Sequence, residues 1–145
     1  MAIIPDTQHL PVRREQPFFY EFEIEALDLT GYTFRSEWRA NRETTGDAAV
    51  ELTSATAPDE GISVSVETVE GIPFSTIQYR VDEATINALI PFVTPSNRPN
   101  RTPGDLVTYY YDLRAEKADA TDPDLRKITL YDGEVRITAG KTKDA

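Results

Sequence analysis

The stretch Phe18-Phe19-Tyr20-Glu21-Phe22-Glu23-Ile24-Glu25-Ala26 decides how this chain folds. Phe18, Tyr20, Phe22, Ile24 and Ala26 alternate with Phe19 and with the carboxylates Glu21, Glu23 and Glu25. A period of two describes an extended strand with one face in a core and one in water. Asp28-Leu29-Thr30-Gly31 follows, a run whose Asp and Gly suit a chain reversal. The alternation then resumes from Tyr32 to Arg39. Phe34, Ser36, Trp38 and Ala40 share one face, and Thr33, Arg35, Glu37 and Arg39 the other. Two alternating strands around a short turn lead us to expect a hairpin.

Downstream the same grammar repeats. Val50 and Leu52 point inward on a modest strand over 49–53, stopped by Ala57-Pro58-Asp59-Glu60-Gly61. Ile62, Val64 and Val66 alternate with polar partners, and Glu70-Gly71 marks the next turn. Over 74–81, Phe74 is out of phase with Ile77, Tyr79 and Val81, so a bulge near Ser75 or Thr76 is expected, with Pro73 at the strand's beginning or edge. Asp82 is placed to cap the one helical candidate, residues 83–90, which Pro91 ends. Residues 91–105 hold four of the ten prolines together with Arg98 and Arg101, and read as the longest irregular connection. A strand over 106–114 and a polar connection over 115–126 come next. Two short strands, 127–131 and 134–138, then flank Asp132-Gly133, the strongest local hairpin signal.

Seven or eight short strands with one helical fragment predict an all-β fold. The expected form is an antiparallel β-sandwich of immunoglobulin-like topology. Its core should draw on Phe22, Ile24, Phe34, Trp38, Ile62, Val64, Tyr111, Leu113, Leu130 and Ile137. Residues 1–16, with Pro5 and Pro11 and no sustained period, read as an extended N-terminal arm. Residues 17–140 form the domain, and 141–145 a polar tail.

Composition narrows the function. The 145 residues contain no cysteine, which excludes disulfides, thiolate nucleophiles and thiolate metal sites. His9 is the only histidine, and it lies in the proline-flanked arm, a poor place for a zinc site or a serine-histidine-aspartate triad. A net charge of −10 repels nucleic acid. No apolar run is long enough to cross a bilayer, and the N-terminus lacks the order of a signal peptide.

Several motifs invite a functional reading and favour a plain one. Glu21, Glu23 and Glu25 fit a solvated strand face better than a paired-acid glycosidase site. Asp119, Asp122 and Asp124 lack the spacing of a calcium loop and suit a charged hairpin tip. Tyr109-Tyr110-Tyr111 must place a ring on each face of its strand, which leaves room for a carbohydrate platform. Trp38 reads as core, and its indole N–H then needs an acceptor. Asn100-Arg101-Thr102 and Gly140-Lys141-Thr142 are discounted as acceptor and phosphate-loop motifs because their contexts are missing.

Three of these stretches carry a resemblance. Asp28-Leu29-Thr30-Gly31, Tyr111-Asp112-Leu113 and Gly133-Glu134-Val135-Arg136-Ile137, spread over residues 18–140, are similar to motifs of small tailed-bacteriophage structural domains. The chain resembles the immunoglobulin-like N-terminal domain of baseplate upper proteins and related tail and fibre proteins. The proline-rich loop is longer than that pattern needs, and the lack of a long C-terminal extension points within that group to a small adaptor, plug or decoration protein. The resemblance implies a non-enzymatic virion subunit, assembled in the host cytoplasm, with no cofactor, metal or catalytic residue. Its implied partners are other virion proteins or further copies of itself, not nucleic acid or membrane. A carbohydrate-binding module is the alternative. The expected partner contacts are Ile3, Ile4 and Leu10 in the arm, and Phe92, Val93, Arg98 and Arg101 in the loop.

Overall fold

The computed structural model describes residues 5–40, 48–89 and 106–138. In chain order the elements are β1 (Asp6–Thr7), β2 (Leu10–Arg13), β3 (Phe18–Glu25), β4 (Thr33–Arg39), β5 (Val50–Thr53), β6 (Gly61–Val69) and β7 (Ile72–Val81). Helix α1 (Glu83–Ala88), β8 (Leu106–Glu116), a 3-10 turn at Pro123–Leu125 and β9 (Lys127–Thr138) complete them. The fold is all-β with one short helix, as the alternation demands. A six-stranded sheet runs β1-β9-β8-β4-β5, with β2 continuing β1 along β9, and a three-stranded sheet runs β3-β7-β6. The smaller sheet is antiparallel throughout. The larger is mixed, because β1 and β2 lie parallel to β9, so a purely antiparallel fold is corrected.

Both sheets feed one core. Phe18, Phe22, Ile62, Ile77, Tyr79 and Val81 come from the smaller sheet, and Phe34, Trp38, Leu52, Tyr111, Leu113, Val135 and Ile137 from the larger. All ten expected core residues belong to it, Ile24 and Val64 as partly buried neighbours. Each fully buried aliphatic side chain adds about 1.5–3 kcal/mol of transfer free energy. Rings meet across the layers, Phe22 on Tyr131 at 4.5 Å and Tyr79 edge-on to Tyr111 at 6.4 Å. A backbone bridge between Ser54 and Ile62 ties the chain after β5 to β6, the edge of the other sheet.

Four expectations give way to packing. The first is the hairpin of β3 with β4: β3 pairs with β7, whereas β4 pairs with β5 and β8. Their connection crosses between sheets because Leu29 is buried within it. The Leu29 N–H donates to Ser75 Oγ at 3.0 Å, and that hydroxyl donates to the Leu27 carbonyl at 2.6 Å. Ser75 also removes the expected bulge in β7. It takes the inward position, fully buried, so Ser75, Ile77, Tyr79 and Val81 hold one unbroken phase and Phe74 lies on the other face. Pro73 stands second in the strand, near its beginning.

The third is the turn at Asp132-Gly133. Lys127–Thr138 is one strand, paired along its length with β8, and the irregularity lies elsewhere: Leu113 faces Tyr131 while Arg114 faces Thr129. Gly133 is needed for a close approach. A Cβ there would stand 2.6 Å from the Gln8 carbonyl oxygen. The fourth is the arm, since residues 10–13 are a strand of the sheet with Leu10 and Val12 in the core. Asp82 does hold the N-cap position of α1, but its side chain makes no capping bond. Its N–H donates to Glu60 Oε2 instead.

Candidate functional site

The outward face of the six-stranded sheet carries the most chemistry. Register brings Glu51, Glu37, Asp112 and Asp132 into one row across β5, β4, β8 and β9, with Thr7 of β1 at its end. Like charges directly opposite one another destabilise a sheet unless countered. Arg35 lies between Glu37 and Glu51 and bonds both, Arg39 meets Glu37 at 2.9 Å, and Arg114 meets Asp112 at 2.7 Å. Hydrogen bonding from Arg39, helped by Arg35, holds the Glu37 carboxyl below the usual glutamate range, against the opposing effect of its burial. Asp132 has no such cation among the described residues, only the Thr7 hydroxyl donating at 3.4 Å.

The next row is Arg39, Tyr110 and Glu134. Here the N-terminal strand departs from ladder pairing. The Gln8 N–H still bonds the Asp132 carbonyl at 2.9 Å, but opposite Glu134 the imidazole takes over: Glu134 N–H donates to His9 Nδ1 at 3.1 Å. That bond places the ring proton on Nε2. Tyr111 OH donates to the Gln8 carbonyl at 2.6 Å and pins the same kink from below. The result is an open depression of about 340 Å³, walled by Thr7 and His9, floored by β8 and β9 around Tyr110, and rimmed by Arg39 and Arg114.

Beneath it runs an ordered chain of hydrogen bonds joining the two sheets. Trp38 Nε1 donates to Tyr79 OH at 2.7 Å, and Ser36 Oγ donates to the Asp112 carbonyl at 2.6 Å. The Ser36 proton being used there, Tyr79 must donate in its 2.7 Å contact with Ser36 Oγ. Burial pushes the Tyr79 and Tyr111 hydroxyls far above the usual tyrosine range, so both stay protonated donors. The acceptor that Trp38 requires is therefore Tyr79, and the chain ends on the backbone of Asp112, whose side chain lines the depression.

The sequence-derived contact residues do not assemble into this site. Ile3, Ile4, Phe92, Val93, Arg98 and Arg101 lie outside the described residues, as do Asn100-Arg101-Thr102 and Gly140-Lys141-Thr142. Leu10 is completely buried in the chain's own core, so the hydrophobic effect already places it there and leaves no surface for a partner. Glu21, Glu23 and Glu25 line an exposed face. Asp122 accepts the Asp124 N–H at 2.9 Å and caps the 3-10 turn, and among the described residues no group of three or more acids and histidines is arranged to hold a metal ion. Tyr109 OH bonds the Leu89 carbonyl, Tyr111 is buried toward the core while also contributing to the lining of the depression, and Tyr110 lines the depression from the outward face.

Sequence reading missed the carboxylate row because its members are far apart in the chain and meet only through strand register. Their outward parity on each strand was the one available signal. No family model matches the sequence, and a search of characterised proteins finds no match.

Proposed function

We propose that this chain is a non-enzymatic structural subunit of a tailed-bacteriophage virion, built on an immunoglobulin-like β-sandwich. In this reading it serves as a tail, baseplate or head–tail adaptor or decoration protein, assembled in the host cytoplasm. The observation that carries the reading is the strand order. Sheet β3-β7-β6 matches the B, E and D strands of an immunoglobulin domain, and β4, β8 and β9 match C, F and G, with β5 as an added C′ strand. Trp38 sits buried on the strand matching C, where such domains keep a tryptophan.

The motifs behind the phage resemblance fall at apt places. Asp28–Gly31 is in the inter-sheet connection, Tyr111–Leu113 in β8, and Gly133–Ile137 in the last strand. β3 adds a reason for assembly. It pairs on one side only among the described residues, runs for eight residues, and presents Phe19 at 56% exposure. Unfinished edges and exposed aromatics suit protein contacts.

The test is fractionation of cells producing both this chain and phage particles. Band the particles on a density gradient and identify their proteins by mass spectrometry. The chain should band with intact particles at fixed stoichiometry and survive a high-salt wash. Recovery only at the top of the gradient would overturn the reading.

A further inference from the structure

We propose that the depression on the six-stranded sheet is a binding subsite for a neutral sugar unit, a role that does not depend on the virion reading. Its chemistry selects by elimination. Glu37, Asp112, Asp132 and Glu134 line it, and among the described residues arginines pair with all but Asp132, so an anionic ligand meets an uncompensated carboxylate there. A simple cation would be drawn to Asp132 but would face the guanidinium groups of Arg39 and Arg114. An apolar ligand would strip water from all of them without replacing it. A polyhydroxylated ring offers the Asp132 carboxylate a donor and the His9 Nε2–H an acceptor, because every hydroxyl both donates and accepts.

The pieces are present and oriented before any ligand arrives. Asp132 has lone pairs that no cation occupies among the described residues, and His9 presents its Nε2 proton without a partner there. Arg114 is held on Asp112 through Nε at 2.8 Å, which fixes its plane and leaves further N–H groups to donate. Tyr110 supplies a ring on the same face, the element against which the C–H side of a sugar packs. A volume of about 340 Å³, open to solvent, is small for a ligand pocket and suits one or two rings of a longer glycan.

The full chain should be screened on an array of neutral and acidic glycans. Any retained neutral glycan is then titrated by calorimetry against the wild type, Tyr110→Ala, Asp132→Asn and, on the other sheet, Phe19→Ala. We expect retention of at least one neutral glycan, with affinity weakened about tenfold or more by each depression variant and unchanged by Phe19→Ala. Thermal unfolding is followed in parallel. Should Tyr110→Ala lose its fold, the near-isosteric Asp132→Asn decides. Retention of no glycan, retention of acidic glycans only, or wild-type affinity in the folded depression variants would overturn the proposal.

Discussion

Gly71 and Gly133 each follow an acidic residue in a two-residue turn signal, yet the molecule uses them in opposite ways. At Glu70-Gly71, φ values of 53° and 82° reverse the chain tightly between Val69 and Ile72, and a Cβ on Gly71 would meet nothing within 4 Å. Positive φ at both central residues fits a tight turn whose twist matches the flanking strands. At Asp132-Gly133 the strand runs straight on, with φ of 154° at the glycine, and the space a side chain would fill belongs to the backbone of Gln8. One glycine frees the backbone to turn. The other lets a second strand come close. The dipeptide is the same kind of signal in both places, and what lies across from it decides the outcome.

Substituting each glycine is the most direct way to break this comparison. Gly133→Ala combines backbone strain with a clash against a main-chain oxygen, so it should cost about 3 kcal/mol, a fall of roughly 10 °C in unfolding midpoint. Hydrogen exchange should then show residues 6–13 losing protection first, since among the described residues β1 and β2 pair with β9 alone. Gly71→Ala meets only the left-handed conformational penalty, about 1 kcal/mol, with protection at 6–13 intact. Equal losses in the two variants would mean that close approach is not what Gly133 provides.

The smallest expected effect sharpens the contrast on the charged face that Gly133 helps to shape. Glu37 is held below its ordinary value of 4.5, so its contribution to stability is complete above that pH and is lost as pH falls through its lower folded value. Arg39, the leading partner, and Arg35 both reach solvent, which limits the contribution to under about 1 kcal/mol. Glu37→Gln should therefore be less stable than wild type at neutral pH, with the gap closing below pH 4.5. A difference that stays constant down to pH 2 in urea titrations would show that the carboxylate is not the source.

The alternation of Phe18 to Glu25 by itself determined an exposed acidic face and an aromatic inner one, and the same parity put Phe34, Trp38, Tyr111 and Ile137 in the core. It also marked Trp38 as needing an acceptor. Strand parity says which side of a residue faces inward, because successive side chains point to opposite faces whatever lies alongside. It carries no information on which strand lies alongside. Only the tertiary structure decided that β3 and β4 belong to different sheets, since that depends on Leu29 finding the core and Ser75 satisfying the backbone that goes with it. Only the tertiary structure turned Asp132-Gly133 into a straight strand and brought Glu51, Glu37, Asp112 and Asp132 into one row. Those outcomes rest on contacts between residues distant in the chain, whose free energies a local pattern does not contain.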